Sequence, residues 1–237
     1  MSKNSKTAFP LSLPPLSIRI KRLIAVLAVL TLVLLGITLL FYDFLKIRYY
    51  LFWNMALAII PLGFALLVYN RERLGKPKPL TVVWGLCWLA FFPNAPYLIT
   101  DFIHLNRYDF GSGGNYNTAI SPWLGLVQLS LGVLAGAICG LLSLYLLQMA
   151  VRARWGSPAG WLFAGLISIL SGVGIYIGRF MRFNSWDLLV QPAKVAYHFS
   201  DALGLRMVGL SALFAFMIFA SYLLFYVTFD CTCNRES

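Results

Sequence analysis

Two short polar stretches in an otherwise apolar chain carry side chains that are capable of chemistry. The first, FFPNAPYLITDFIHL over residues 91–105, places Asp101 and His104 three residues apart. On a helix this spacing brings the carboxylate and the imidazole to the same face. Either group can serve as a general base near neutral pH, so Asp101 and His104 are the catalytic candidates.

The second stretch, GRFMRFNSWD over residues 178–187, carries two arginines. A guanidinium group binds phosphate or carboxylate oxygens through paired hydrogen bonds. We therefore expect a ligand-binding set that draws on both stretches and recognises an anionic group. Its candidate members are Asn94, Tyr97, Arg179, Arg182, Asn184 and Asp187.

Asp101 and His104 are also the candidate ligands if the protein binds a metal. A second pair, His198 and Asp201, repeats the three-residue spacing in reverse order. Two such pairs together would suit zinc or manganese. The alternative is that His198 and Asp201 lie on the solvated face of a surface helix, so metal binding stays open and the cofactor is unknown.

Charged side chains in such apolar surroundings need a partner. Inserting one at membrane depth costs about 2.5 to 3.5 kcal/mol even on the lenient insertion scale. The two stretches balance two cations against two anions, and we hypothesise that they meet in one outward-facing site: Arg179, Arg182, Asp101 and Asp187. A purely structural lattice between two helices, or no contact at all, are the alternatives.

The composition around these stretches is that of a membrane protein. Of 237 residues, 60% are hydrophobic and 11% are charged, whereas soluble domains are about one quarter charged. A bilayer core about 30 Å thick needs about 20 apolar residues per helix. Six uncharged stretches have roughly this length: 23–42, 49–69, 80–100, 122–150, 160–178 and 207–229.

These spans predict an all-α, polytopic bundle of six transmembrane helices without a separate soluble domain. The bundle occupies residues 23–229, between a basic cytoplasmic tail (1–22) and a short cytoplasmic tail (230–237). The segment 192–204 has apolar residues on one face and polar residues on the other. It predicts a short helix that lies on the outer membrane surface.

The third span should be broken by its prolines. Pro93 and Pro96 lack the backbone N–H that an inner helical turn needs, so we expect the helix to end or kink near Pro93. Asn94 is then expected to cap a second short helix. The break would turn a polar face toward the bundle, where water or partners can satisfy the backbone.

Span four carries Gly132, Gly136 and Gly140 at strict four-residue intervals. Such a stripe lets another helix approach closely. Span five, with Gly174 and Gly178, is the expected partner.

Lys and Arg are distributed unevenly over the two sides of the predicted bundle. Twelve of the 19 lie on the side of the two tails and seven on the other side. Because short loops rich in Lys and Arg are seldom translocated, both termini are expected in the cytoplasm. We attribute the net charge of +11 to this bias and to attraction to anionic lipid, not to nucleic acid. The first span has no small-residue cleavage site, which indicates an uncleaved anchor in the inner (plasma) membrane.

Three motifs resemble an uncharacterised bacterial multi-pass membrane protein family, domain-of-unknown-function family 1361. They are FWNMALAIIPL, which contains Asn54 and Pro61, and the two polar stretches FFPNAPYLITDFIHL and GRFMRFNSWD. The resemblance implies a multi-pass membrane protein and implies no activity. It supports grouping Asn94, Pro96, Asp101, His104, Arg179, Arg182, Asn184 and Asp187.

We expect an integral membrane protein whose polar vestibule faces outward and recognises an anionic, lipid-linked or envelope group. Whether it is an enzyme stays open. One alternative is a non-catalytic subunit or assembly factor, whose partners are other membrane-protein subunits. A second alternative is a small-solute transporter, because broken helices often bind substrate. The sixth span lacks a matching break, which argues against transport.

Overall fold

The computed structural model describes residues 13–41, 49–183 and 187–233. Its long helices are α1 (Ile18–Leu40), α2 (Tyr49–Arg73) and α3 (Lys78–Phe91), followed after a break by α5 (Ile120–Trp155), α6 (Ser157–Arg179) and α9 (Leu205–Cys233). The short helices are α4 (Asn94–Tyr97), a 3₁₀ helix (Leu98–Arg107), α7 (Asp187–Val190) and α8 (Pro192–Ala202). A hairpin of two-residue strands, β1 (Gly111–Ser112) and β2 (Asn115–Tyr116), precedes α5.

The described residues contain six helical stretches long and apolar enough to cross a membrane. These are Ile18–Leu40, Leu51–Arg73, Lys78–Arg107, Ile120–Trp155, Ser157–Arg179 and Leu205–Phe229. The third combines α3, α4 and the 3₁₀ helix. The predicted all-α fold with six membrane helices is therefore confirmed, and the protein is a multi-pass membrane protein. Several helices extend beyond the predicted apolar spans, most clearly α5, which runs from Ile120 to Trp155 where the span was 122–150.

The central helix of the bundle is α5. Of its most apolar stretch, 67% is buried, compared with 17% in α1 and 17% in α9. The side chains that α1 and α9 leave exposed are large and apolar, such as Leu32 and Phe216. This is the pattern of a bundle that presents its outer helices to lipid, since apolar side chains there lose nothing by facing hydrocarbon.

The third span breaks where its prolines predict, but the second part is wound differently from the expectation. α3 ends at Phe91, α4 forms a single turn, and the chain continues for ten residues as a 3₁₀ helix. Asn94 does not cap α4, because helical backbone already begins at Pro93. Instead the Asn94 side chain donates to the carbonyl oxygen of Phe91 at 2.9 Å. This hydrogen bond satisfies a backbone carbonyl acceptor at the break.

The 3₁₀ winding determines which side chains share a face. With three residues per turn, side chains at i and i+3 are eclipsed. Leu98, Asp101, His104 and Arg107 therefore form a row along the helix, and its first two members are buried. The predicted common face of Asp101 and His104 is retained, although the helix type was not foreseen.

The glycine stripe of α5 is a close-packing surface, but its partner is not α6. A Cβ atom on Gly136 would lie 2.1 Å from Leu98 Cδ1 and 3.3 Å from Ala58 Cβ, and one on Gly140 would lie 2.7 Å from Ala95 Cβ. α2 and the broken part of the third span therefore pack against the stripe. The predicted partner was wrong because the break supplies small residues, such as Ala95, that fit the stripe.

The glycines of α6 pack elsewhere. A Cβ atom on Gly174 would lie 2.7 Å from Pro93 Cγ, and one on Gly172 would lie 2.2 Å from the carbonyl oxygen of Ser211 in α9. One side of the break therefore rests on α5 and the other on α6. This double support places the break between the two helices.

Candidate functional site

Asp101 is the centre of the polar contacts beside the break in the third span. Its side chain is 1% exposed. Asp101 Oδ2 accepts a hydrogen bond from Asn54 Nδ2 at 2.7 Å, and Asp101 Oδ1 accepts one from Arg179 Nη2 at 2.7 Å. The carboxylate therefore joins α2, the 3₁₀ helix and α6. We call Asn54, Thr100, Asp101 and Arg179 the polar centre.

The guanidinium group of Arg179 is held on several sides. Its Nε donates to Thr100 Oγ1 at 2.8 Å, and its Nη2 donates both to Thr100 Oγ1 and to Asp101. The group also lies over the ring of Tyr97, 4.6 Å from the ring centroid. Thr100 in turn donates to the carbonyl oxygen of Tyr97 at 2.7 Å. These contacts fix the orientation of a charge whose side chain is 17% exposed.

Two donors at this position have no hydrogen-bond partner in the part of the chain that the structure describes. They are Arg179 Nη1 and the hydroxyl of Tyr97. A guanidinium nitrogen donates only, and a phenol hydroxyl can donate, so the pair suits an oxygen acceptor on a ligand.

His104 lies beside the polar centre without a hydrogen bond to Asp101. The distance from His104 Nε2 to Asp101 Oδ1 is 3.9 Å, so the two form an ion pair only when the imidazole is protonated. Both oxygens of Asp101 already accept short hydrogen bonds. His104, whose side chain is 14% exposed, is therefore the more accessible of the two catalytic candidates.

The structure bears on the hypothesis of a four-charge cluster through one ion pair. Asp101 and Arg179 are in contact, as predicted. Arg182 is exposed, and its φ of 59° lies in the left-handed region, where the chain turns after α6. Asp187 is partly buried at the start of α7, and Asn184 lies outside the described residues.

The second candidate metal pair lies on α8. His198 and Asp201 are exposed on α8, and His198 Nδ1 lies 2.9 Å from the carbonyl oxygen of Lys194. The described residues contain no group of three or more His, Cys, Asp or Glu side chains placed to hold a metal ion. The position of His198 and Asp201 agrees with the solvated face of a surface helix, whose buried face carries Val195.

A cavity of about 530 Å³ adjoins the polar centre. It lies between α2, α3, the break in the third span, α6 and α8, and its volume falls within the range of small-molecule sites. Its lining is mainly apolar. Asn54, Asn94 and Tyr97 are its polar members and link it to the polar centre.

Two members of the polar centre were not among the predicted site residues. Asn54 is the only amide in the apolar second span, and an isolated polar group at membrane depth is a signal that points to a partner. Thr100 gave no such signal, because a threonine in a membrane helix commonly bonds to its own backbone.

Comparison of the whole chain with known proteins agrees with the motifs. No curated protein and no solved structure matches it. Residues 53–221 match the family described as "Protein of unknown function (DUF1361)". This range includes every described residue of the polar centre and every residue that lines the cavity. The chain therefore belongs to the DUF1361 family.

Proposed function

We propose that the protein resides in a bacterial inner membrane with both termini in the cytoplasm and recognises an anionic group at its outward-facing end. The group belongs to a lipid-linked or envelope molecule. The bias of Lys and Arg toward the opposite side supports this orientation. Four cations nevertheless lie on the outward side after α5: Arg179, Arg182, Lys194 and Arg206.

The observation that carries the proposal is the held guanidinium of Arg179. Asp101 and Thr100 fix one edge of the group, which lies over the Tyr97 ring, and Nη1 is left over as a donor among the described residues. Donors held in place before binding cost less to order when a ligand arrives. Asp101 neutralises Arg179, whereas Arg182 is an exposed cation three residues further along the chain.

Tyr97→Phe tests the proposal because it removes one donor and leaves the ion pair intact. Thermal stabilisation of the purified protein in mild detergent would be compared for hexadecyl phosphate and hexadecanol. We expect only the phosphate to stabilise the protein strongly. A hydrogen bond to a charged group is worth about 1.5 to 3 kcal/mol, so Tyr97→Phe should weaken phosphate binding roughly tenfold or more.

Tyr197→Phe is the matched control, because Tyr197 is exposed on α8 and lies outside the cavity. It should bind as the wild type does. Equal stabilisation by hexadecanol, or equal affinities of the two variants, would contradict anion recognition by Arg179 and Tyr97.

A non-catalytic subunit is the second candidate, and the saturation of Asp101 favours it. A carboxylate that joins three helical segments through two short hydrogen bonds also serves a purely structural purpose. A subunit of this kind would migrate with partner proteins on a native gel after mild extraction. His104→Ala would leave that assembly unchanged, whereas an enzyme that uses His104 would lose its activity with its complexes intact.

A further inference from the structure

We propose that the cavity holds a single hydrocarbon chain of the anionic ligand and that this chain enters sideways from the bilayer between α3 and α6. The ligand class is then an amphiphile with an anionic head at Tyr97 and Arg179 and an apolar chain below it. This inference rests on the proposed function for the head group, and it concerns the chain.

The walls of the cavity suit hydrocarbon. α3 and α6 both contribute aliphatic side chains, and the polar members are confined to the end at the break. The aliphatic residues that these two helices contribute are Leu86, Leu89, Ala90, Leu170, Val173 and Ile177. A chain in this space makes dispersion contacts and leaves no polar group without a partner.

The cavity reaches the lipid-facing surface of the bundle. Leu86 of α3 and Leu170 of α6 both line it, yet they are 61% and 43% exposed. Both belong to the membrane-spanning stretches, so the solvent at their exposed surfaces is hydrocarbon. Nearer the start of α6 the two helices touch, where Trp88 stacks on Phe163 with ring centroids 5.9 Å apart. The cavity therefore opens toward lipid between α3 and α6, and along α6 its lining begins above the contact at Phe163.

The length of the cavity matches one half of a bilayer. Along α6 the lining runs from Leu170 to Gly178, which at 1.5 Å per residue is about 12 Å. Half of a hydrocarbon core is about 15 Å. At the upper end, a Cβ atom on Gly178 would lie 3.4 Å from the Tyr97 ring, so Tyr97 stands at the head of the cavity. A chain lying here would bring its head group to Tyr97, over whose ring the Arg179 guanidinium lies.

Among the described residues, α8 covers part of the polar end of the cavity on the side that faces water. Val195 of α8 lines the cavity and is 4% exposed, and Phe183 lines it beside α6. α8 thus lies over the polar end as a surface helix with its buried residue directed into the cavity. A ligand that arrives through the membrane avoids this cover, which favours a lipid over a water-borne anion.

The test uses photocrosslinking of the wild-type protein in phosphatidylcholine bilayers. The probes are hexadecyl phosphate and hexadecanol, each with a photoreactive group in the middle of the chain, and inorganic phosphate serves as a competitor. Crosslinked residues are mapped by mass spectrometry, with the lipid-facing surface of α9 as the background. We expect hexadecyl phosphate to label the cavity walls of α3 and α6 well above that background.

Val173→Trp and Leu170→Trp should lose this labelling, because an indole would occupy the space of the chain. The matched control is Ile169→Trp, whose side chain is 58% exposed on α6 and lies outside the cavity. The control should label as the wild type does. Retention of labelling in both filled variants, or labelling of α3 and α6 no stronger than of α9, would overturn the inference.

The proposal for the head group and the proposal for the hydrocarbon chain can be refuted separately. If hexadecanol labels the cavity as well as hexadecyl phosphate and Tyr97→Phe changes nothing, the chain site stands and anion recognition is wrong. If Tyr97→Phe weakens binding of hexadecyl phosphate but cavity labelling stays at background, anion recognition stands and the chain site is wrong. Displacement by inorganic phosphate without chain labelling would identify a water-borne anion and would also overturn the inference.

Discussion

Asp101→Asn is the most informative single change in this protein, because it removes one charge from a buried pair with almost no change in shape. The single oxygen of the new amide can accept from only one side, either from Arg179 or from Asn54. The amide nitrogen would then face a second donor in place of an acceptor. Arg179, with a side chain that is 17% exposed, is left without its counterion.

The expected cost follows from burial. Removing one partner of a buried ion pair costs about 3 to 5 kcal/mol. Because Arg179 reaches solvent and Asp101 does not, we expect the lower end, about 3 kcal/mol, a large part of the roughly 5 to 15 kcal/mol that stabilises a typical protein. The free energy of unfolding would be measured in mixed micelles with increasing dodecyl sulfate, together with the amount of protein that accumulates in the membrane.

Asp201→Asn is the matched control, since Asp201 is exposed on α8, and it should change stability by no more than about 0.5 kcal/mol. The double change Asp101→Asn with Arg179→Met removes the unpaired cation as well, so it should cost less than the sum of the two single changes. Our reasoning would be refuted if Asp101→Asn were as stable as Asp201→Asn, or if the two changes were simply additive.

Two further predictions concern packing and orientation. Gly136→Ala should destabilise the protein by about 1 to 3 kcal/mol, because its methyl group would meet Leu98. Gly85→Ala is the control: it has open space around it and should leave the melting temperature unchanged or raise it. Equal melting temperatures of the two variants would contradict the packing. In a cysteine-free background, Ser112→Cys should react with an impermeant maleimide added outside the inner membrane, and Ser157→Cys should react only after permeabilisation. The reason is that α5 spans the membrane between these two exposed positions. The reverse labelling pattern would invert the proposed orientation.

Much of the fold could be predicted from the sequence, because the bilayer imposes a length and a polarity on each span. Six apolar runs predict six helices, and their alternation places the end of α3 and the end of α6 on the same side. Pro93 marks the break for a reason that is local to the backbone. The contact between Asp101 and Arg179 was predicted from charge alone, since an unpaired charge at that depth is costly.

Other features depend on which surfaces meet, and no local pattern contains that information. The 3₁₀ winding of residues 98–107 and the seating of Ala95 against Gly140 follow from packing against α5. Asn54 belongs to the site because the packing of α2 places its Nδ2 atom 2.7 Å from Asp101 Oδ2. The cavity is a gap between helices that are far apart in sequence. The amino-acid sequence by itself determined the spans, the break and the charges, because these depend on the thickness and polarity of the bilayer and on local backbone geometry. The tertiary structure decided which charge is paired and where a ligand fits, because both depend on distances between helices.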